Sequence, residues 1–349
     1  MKKIVKQTVG IDVAQKELVV SIGRMFDDFN IEIYASKTFT NNKKGFGILA
    51  QWVEKHTDVQ TSIRYVMEAT GVYHEALAYF LTEQASQITI VMPNKISNYM
   101  RTLDINTITD QTAADAIARF GLERKLDDWT PPNKIYNNIK QLTRERDQLV
   151  GERTVLKNQL HAENAGAFAN KKTIARLEAR IRLINKQEHA IKQELHELTK
   201  SDEEVSKNVR LLCSIPGISM LTSCIVLGET NGFGLIQNRR QLASYAGFDV
   251  KEKTSGTSVK KKGKISKKGN KHLRKAMHMP SFSAVRHNER FKAFYANLIS
   301  GHGIKMKALI PVQRKLLELC YTIYKTGKPF DKKYLENKSA ALMQDAETL

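Results

Sequence analysis

Val9-Gly10-Ile11-Asp12-Val13 and Leu18-Val19-Val20-Ser21-Ile22-Gly23 are two short runs rich in β-branched residues, separated by a polar turn. Runs of this kind are typical of β-strands that pair as a hairpin. The sequence predicts further strands at 31–34, 63–67 and 88–92 and helices at 45–55, 73–83 and 113–122. Three strands followed by alternating helices and strands indicate an α/β domain.

The α/β domain ends at a proline pair, in Trp129-Thr130-Pro131-Pro132-Asn133. Consecutive prolines continue neither a helix nor a strand, so we place the domain at 1–133. The charge changes at the same point, because residues 1–133 hold 15 Lys and Arg against 16 Asp and Glu, whereas the remainder holds 41 against 20. The formal net charge of +20 on the 349-residue chain therefore lies in the second half.

Long helices are expected after this break. Apolar residues recur at three-, four- and seven-residue steps from 139 to 198, with Glu188 interrupting the pattern. This periodicity predicts an antiparallel coiled coil over 134–205, joined near Gly166, that either packs within the chain or joins protomers. Residues 206–349 are expected to form a second, mostly α-helical domain.

The most basic segment spans residues 251–275, where eleven Lys and Arg residues accompany the single acid Glu252 and almost nothing is apolar. We expect a loop there. A polyanion is the favoured partner because neutralised phosphates release condensed counterions, although a solvated loop without a specific partner has the same composition. The candidate nucleic-acid-binding residues are Lys260, Lys261, Lys262, Lys264, Lys267, Lys268, Lys271 and Arg274.

The sequence argues against a membrane protein, a secreted protein and a zinc-ribbon protein. No apolar run approaches the ~20 residues that span a bilayer, and the N-terminus leads into a strand pattern, so we expect a soluble, cytoplasmic protein. Cys213, Cys224 and Cys320 lack the spacing of a zinc site or a disulfide framework and are expected to be buried apolar residues. His272 and His278 do not share a helix face and are treated as ordinary polar residues.

Three carboxylates are placed to meet. Asp12 and Glu68 lie near the ends of apolar strands, and Asp110 precedes the helix expected near Ala113. Clustered carboxylates repel one another unless cations neutralise them, and Mg²⁺ prefers such oxygen ligands. Two such ions activate the nucleophile and stabilise the leaving oxygen in phosphoryl transfer. The alternative is that these acids merely end strands or cap a helix.

Two further motifs suit phosphate chemistry. Thr254-Ser255-Gly256-Thr257-Ser258 puts a hydroxyl beside a glycine among lysines, where it can reach a phosphate while cations stabilise the developing charge. A flexible polar loop would look similar. Ser214-Ile215-Pro216-Gly217-Ile218 resembles the hairpin of helix-hairpin-helix modules, whose backbone amides hold a phosphate, but a simple turn has the same length.

Seven motifs follow one another in the chain: Val9-Gly10-Ile11-Asp12-Val13-Ala14, Met67-Glu68-Ala69-Thr70-Gly71-Val72-Tyr73, Thr109-Asp110, Ser214-Ile215-Pro216-Gly217-Ile218, Tyr245-Ala246-Gly247, Ser255-Gly256-Thr257-Ser258 and Ile265-Ser266-Lys267-Lys268-Gly269. In order and spacing they resemble the motifs of the insertion-sequence 110 family of transposases, which includes the Piv-type DNA invertases. The resemblance covers nearly the whole chain.

The resemblance implies an RuvC-like, RNase H-type N-terminal domain with a DEDD set of acids, a coiled-coil linker and a C-terminal transposase domain with a nucleophilic serine. It assigns Asp12, Glu68 and Asp110 to the first three acidic positions and Ser255 to the serine. It further implies a 5′-phosphoserine link to DNA, metal-bound acids supplied by a partner protomer, and a structured bridge RNA that reads DNA by base pairing.

The fourth acidic position departs from the pattern. In the family the fourth acid lies three residues after the third acid, which is Asp110 here. This chain has Ala113 at that position, and Asp115 is the nearest substitute. On a regular helix Asp115 lies ~140° around from Asp110. Three explanations stay open: Asp115 replaces the missing acid, an inactivating change stands at Ala113, or the natural protein has lost catalysis.

The leading hypothesis is an RNA-guided serine recombinase of a mobile element, acting as a dimer or tetramer with two Mg²⁺ ions held by Asp12, Glu68, Asp110 and Asp115. An invertase or junction-resolving nuclease without a guide would use the same acids. A catalytically inactive nucleic-acid-binding protein is the third alternative. An actin-like ATPase ranks lower because no glycine-rich phosphate loop follows Asp12.

Overall fold

The structure is a computed structural model that describes residues 3–103, 107–234, 236–255 and 259–332. For 251–255, 259–264 and His302 it describes the backbone alone. The chain divides into two compact units, Met1–Pro131 and Pro132–Leu349.

The first unit is a mixed sheet with helices. Its elements in chain order are β1 (Ile4–Val13), β2 (Glu17–Phe26), β3 (Ile31–Thr40), α1 (Lys43–His56), β4 (Ile63–Glu68), α2 (Glu75–Glu83), β5 (Gln87–Val91), α3 (Pro93–Met100) and α4 (Asp110–Glu123). The strand order is β3-β2-β1-β4-β5. The strands β1, β2 and β3 pair antiparallel, whereas β1, β4 and β5 run parallel. This arrangement confirms the predicted α/β class.

The two faces of the sheet are covered differently. On one face, alternate residues of β1 such as Ile11 pack in a core cluster with Phe46 of α1 and Leu77 of α2. On the other face α4 lies directly on β1, where a Cβ added to Gly10 would lie 2.2 Å from the backbone nitrogen of Ala118. Only glycine therefore allows this approach of helix to strand.

Helix α4 runs opposite to β1. Ala114 and Ala118 lie over Gly10, and Gly121 lies over Thr8, which is earlier in the strand. The ammonium of Lys6 donates to the carbonyl oxygens of Gly121 (2.6 Å), Leu122 (2.9 Å) and Arg124 (2.8 Å), which satisfies the last turn of the helix. The first turn of α4 therefore lies at the carboxyl ends of the parallel strands.

The second unit is mostly α-helical, as predicted. Its elements in chain order are α5 (Lys134–Ala165), α6 (Lys171–Lys200), α7 (Glu203–Cys213), α8 (Met220–Thr230), α9 (Arg239–Ala246), β6 (Val250–Ser255), β7 (Val259–Ile265), α10 (Lys271–Ala276), α11 (His278–His287), α12 (Glu289–His302) and α13 (Lys305–Thr326). One large core cluster joins residues of α5 to α11 and α13, among them Leu195, Leu227 and Leu316.

The long helices α5 and α6 pack on each other through Leu156, Leu177 and Ile184. Glu188, which interrupts the apolar pattern of α6, is 4% exposed. Its carboxylate accepts from Arg146 and is paired with Arg153 and Lys192. The polar residue in the stripe is thus fully paired, and it fixes how the two helices align.

Several predictions about this fold were wrong in detail. The basic segment contains a hairpin, β6 with β7, instead of a continuous loop, because backbone pairing of Val250 with Ile265 and of Ser255 with Val259 needs no apolar face. Helix α4 begins at Asp110 rather than near Ala113, since the Thr109 side chain caps it. Cys213 is exposed, although Cys224 and Cys320 are buried as expected.

Candidate functional site

The carboxylates of the first unit gather at one edge of its sheet. Ile11 of β1 pairs with Met67 of β4, so the next residues, Asp12 and Glu68, lie side by side where these parallel strands end. Asp110 is the first residue of α4, and a capping box of Thr109 and Thr112 fixes that end of the helix. Sheet topology and helix direction thus bring three of the predicted acids to the same place.

The three acids interact electrostatically. The pKa of Asp12 is raised from 3.8 to about 6, first by burial of its carboxyl, then by the negative charges of Asp110 and Glu68, against a hydrogen bond from the Val13 backbone that lowers it. A site of this kind favours a bound cation, because a positive charge removes the mutual repulsion. Carboxylate oxygens are also the ligands that Mg²⁺ takes.

The acids are not arranged as a completed metal site. Across the described ranges, no three or more His, Cys, Asp or Glu side chains form a group positioned to hold a metal ion. The donor chemistry fits Mg²⁺, and the side chains would have to draw closer around the ion.

Asp115 makes different contacts from the other acids. Its Oδ1 accepts from the hydroxyl of Ser21 (2.5 Å) and from Nε2 of Gln111 (2.9 Å). Because α4 is regular from Asp110 onward, Asp115 lies ~140° around the helix from Asp110. The structure therefore does not bring Asp115 to the group formed by Asp12, Glu68 and Asp110.

One side chain at this edge was missed by the sequence analysis. Nδ2 of Asn41, just after β3, donates to the carbonyl oxygens of Ala14 (2.8 Å) and Tyr73 (3.2 Å). It ties the loop that follows Asp12 to the loop that follows Glu68, so it supports the relative placement of the two acids. Nothing in the local sequence signals this role, since the partners are 27 and 32 residues away.

Ser255 is the last residue of β6 and pairs with Val259 of β7, at the far end of the hairpin from Val250. Its side chain lies outside what the structure describes, as do Gly256, Thr257 and Ser258 of the same motif. The predicted serine site is thus placed by its backbone at the end of a two-stranded ribbon.

The basic candidates divide into three groups. Lys260, Lys261, Lys262 and Lys264 lie on β7, and their side chains are outside the described part of the chain. The side chains of Lys267, Lys268 and Lys271 are exposed. Arg274 differs from them, because its guanidinium donates to the carbonyl oxygens of Ala246 (2.6 Å) and Gly269 (3.2 Å).

The Ser214–Ile218 motif forms the turn between α7 and α8. Gly217 has φ +89°, and a Cβ there would lie 2.5 Å from the carbonyl oxygen of Pro280, so the turn packs against α11. Ile215 and Ile218 are buried in the core of the second unit.

None of the described helices is long and apolar enough to cross a membrane.

Two family models match the chain. Residues 9–163 match a model for IS110 elements that is described as a transposase, and residues 209–296 match one described as the transposase IS116/IS110/IS902 family.

Relatives match over nearly the full length. The pilin gene-inverting protein of Moraxella lacunata is 30% identical over 339 residues, which cover 95% of this chain and 99% of that protein. The pilin gene-inverting protein of Moraxella bovis is 29% identical over the same shares. Among solved structures, Thermus thermophilus RuvC is similar at 11% identity and a TM-score of 0.26, covering 35% of this chain and 99% of that one. RuvC of T. thermophilus with a Holliday junction substrate is similar at 8% identity and a TM-score of 0.25, covering 32% and 90%.

Proposed function

The chain belongs to the IS116/IS110/IS902 family of transposases, and from this membership we propose that it cuts and rejoins DNA through a covalent link to Ser255. The observation that carries the proposal is the gathering of Asp12, Glu68 and Asp110 at one sheet edge, with the pKa of Asp12 raised to about 6 by burial and by its acidic neighbours. Such an arrangement costs stability and serves a protein that binds a cation there.

Asp12, Glu68 and Asp110 would hold the Mg²⁺ in this proposal. The bound ions would supply charge stabilisation at the attacking and leaving oxygens of phosphoryl transfer. Asp115 is left out of the ligand set because it lies ~140° around α4 from Asp110 and is hydrogen-bonded to Ser21 and Gln111 instead. The capped first turn of α4 and the hydrogen bonds of Asn41 fix the backbone segments that carry the three acids.

The serine step is a phosphoryl transfer. The Ser255 hydroxyl attacks a phosphorus of the DNA backbone, so that an Oγ–P bond forms as the P–O3′ bond breaks. The serine proton is released, and the 3′ oxygen takes up a proton and leaves as a hydroxyl. The 5′ end stays on the serine until a second 3′ hydroxyl reverses the step. The proposal assigns to the lysines of the basic segment the stabilisation of the charge that develops on the phosphorus oxygens.

The second unit carries the proposed contacts to nucleic acid. Its excess of basic residues, including the exposed Lys267, Lys268 and Lys271, suits the phosphates of DNA and of a structured guide RNA. The proposal includes a homo-oligomer in which acids and serine come from different protomers.

Site-specific inversion is the second candidate, because the two relatives that cover 95% of the chain are pilin gene-inverting proteins. It would use the same acids and the same serine without a guide RNA. RNA that co-purifies with the protein separates the two. Loss of recombination after ribonuclease treatment supports the guided transposase, and full activity of RNA-free protein supports the invertase.

A covalent trapping assay tests the chemistry. Full-length protein, together with any RNA that co-purifies with it, is incubated with labelled DNA and Mg²⁺, and protein–DNA adducts are resolved under denaturing conditions and mapped by mass spectrometry. We expect a Ser255 adduct that Ser255→Ala abolishes, while DNA binding changes less than about threefold since the variant keeps all its cations. Ser258→Ala, in the same motif, is the matched control and is expected to retain the adduct.

The outcomes separate the alternatives. An adduct that survives Ser255→Ala and is lost in Ser258→Ala would move the nucleophile to Ser258. Absence of any adduct in the wild type, with adduct formation by Ala113→Asp, would show that the missing fourth acid has inactivated the natural chain. Absence in both, with salt-sensitive DNA binding, would support the inactive binding protein.

A further inference from the structure

The β6–β7 ribbon, residues 250–265, is joined to the second unit by two flanking segments, 245–249 and 266–270, which we call the root. Backbone hydrogen bonds run between them: Ser266 N to Asp249 O (2.7 Å), Lys267 N to Gly247 O (3.1 Å) and Asn270 N to Tyr245 O (2.7 Å). The root thus continues the pairing of the ribbon down to the helices α9 and α10.

The two segments of the root approach closely. Gly269 has φ +149°, and a Cβ there would lie 2.5 Å from the carbonyl oxygen of Tyr245 and 2.8 Å from the nitrogen of Gly247. A side chain would force the segments apart. The two family-like motifs Tyr245-Ala246-Gly247 and Ile265-Ser266-Lys267-Lys268-Gly269 therefore meet here, which explains both glycines without any contact to a ligand.

A single buried residue holds both sides of the root. Glu229 of α8 is 2% exposed. Its carboxylate accepts from Nδ2 of Asn270 (2.6 Å), and its backbone carbonyl accepts from the Tyr245 hydroxyl (2.9 Å). The same carboxylate accepts hydrogen bonds from Nε (2.7 Å) and Nη2 (2.9 Å) of Arg144 on α5. One acid thus joins the long helix α5 to both segments that carry the ribbon.

The ribbon has only two strands, and the root is where its chain joins the helices α9 and α10. An isolated two-stranded ribbon is marginally stable. Ser255 lies five residue steps beyond Val250, the first residue of the ribbon, so at ~3.3 Å per residue it is about 17 Å from Val250. A tilt of about 10° at the root would move Ser255 by about 3 Å, and a 1 Å misplacement of a reacting group can cost 10²-fold in rate.

We propose that Glu229, held by Arg144 and hydrogen-bonded to Asn270, is a positioning residue that sets the direction in which the ribbon presents Ser255. The inference rests on the proposed role of Ser255 as nucleophile. Glu229 acts through the root, and its pairing with Arg144 holds its buried carboxylate in place beside Asn270.

Two variants break the contact in different ways. Glu229→Gln keeps the shape but turns one acceptor oxygen into an amide that faces the donors of Arg144 and Asn270. In Asn270→Ser the shorter side chain no longer contacts Glu229, but serine still caps the N-terminus of α10 well. This variant is therefore expected to fold even if Glu229→Gln does not. Glu188→Gln is the matched control, because it removes an equally buried paired acid of the same unit that has no contact with the root.

Ribbon direction is measured by the distance between two spin labels in the full chain, one on the exposed native Cys213 and one on Val259→Cys opposite Ser255. We expect the distance distribution to shift or broaden in Glu229→Gln and Asn270→Ser and to stay unchanged in Glu188→Gln. Adduct formation at Ser255 is expected to fall at least tenfold in both root variants, with DNA affinity within about threefold of the wild type.

The distance measurement does not depend on any reaction, so it separates this inference from the proposed function. Unchanged distributions in both root variants would overturn the positioning role, even if activity falls. A changed distribution with an undiminished adduct rate would overturn it as well. If the wild type forms no Ser255 adduct, the proposed function fails, whereas a shifted distribution still supports control of the ribbon by Glu229.

Discussion

Asp12→Asn should stabilise the first unit while removing its response to Mg²⁺. The carboxyl of Asp12 has its pKa raised from 3.8 to about 6 by burial and then by Asp110 and Glu68. That difference is roughly two pH units, at about 1.4 kcal/mol each. Because Asp12 is only half-buried, solvent screening reduces the gain, and we expect the free energy of unfolding to rise by about 1–2 kcal/mol at pH 7.5.

The assay follows from the placement of the tryptophans. Trp52 and Trp129 are the two tryptophans of the chain, and both lie in the first unit. Urea unfolding followed by tryptophan fluorescence therefore reports on that unit. With Mg²⁺ at ten times its dissociation constant the wild type should gain about 1.4 kcal/mol, and Asp12→Asn should gain much less.

The pH dependence gives the sign of the effect. A folded pKa above the unfolded value means that ionised Asp12 opposes folding at high pH. The advantage of Asp12→Asn should therefore be full above about pH 6 and vanish below about pH 4. Asp27→Asn, an exposed acid of the same unit, is the control and should change stability by less than about 0.5 kcal/mol. A loss of stability in Asp12→Asn, or an equal response of both proteins to Mg²⁺, would refute the electrostatic account of this site.

Five further substitutions test three other parts of the structure. Glu188→Gln should lower the free energy of unfolding by about 2–3 kcal/mol, measured by urea unfolding followed by circular dichroism. The basic partners of Glu188 lower its pKa to about 2 against its burial. The higher stability of the wild type should therefore be complete above about pH 4.5 and disappear toward pH 2. Gly10→Ala places a methyl group against the backbone of α4 and should lower the stability of the first unit by about 3 kcal/mol, whereas Gly47→Ala, with open space around it inside α1, should raise it by up to about 1 kcal/mol. Lys271→Ala should lower the slope of the logarithm of the DNA-binding constant against the logarithm of the salt concentration by about one, without changing stability. Arg274→Ala should lower the melting temperature, because the guanidinium of Arg274 donates to two backbone carbonyl oxygens.

The sequence predicted the elements whose signal is local. The β-branched runs on either side of a polar turn predicted the hairpin of β1 and β2, and the structure adds the parallel pairing of β1 with β4. The convergence of Asp12 and Glu68 then required only that parallel strands end at one edge. The antiparallel helices on either side of Gly166 were visible as well, because their apolar stripe repeats over many turns.

Features that depend on distant partners were missed. The hairpin in the basic segment lacks apolar alternation, so its strands cannot be identified from periodicity. The hydrogen bonds of Asp115 to Ser21, of Asn41 to Tyr73 and of Glu229 to Asn270 join residues 94, 32 and 41 positions apart. The early start of α4 had a local signal in Thr109 and Thr112, which the spacing of apolar residues did not capture.

The buried carboxylate of Glu188 has a consequence for how the long helices can change length. A slide of α6 along α5 by less than one heptad would take the Glu188 carboxylate away from Arg146 and Arg153, which are one heptad apart, and would leave a desolvated charge without a partner. Insertions or deletions that the fold accepts should therefore occur as matched seven-residue blocks in both helices, on the Gly166 side of the Arg146–Glu188 pair. Homologous chains whose α5 and α6 differ in length would then keep Glu188, Arg146 and Arg153 at a constant distance from the core of the second unit.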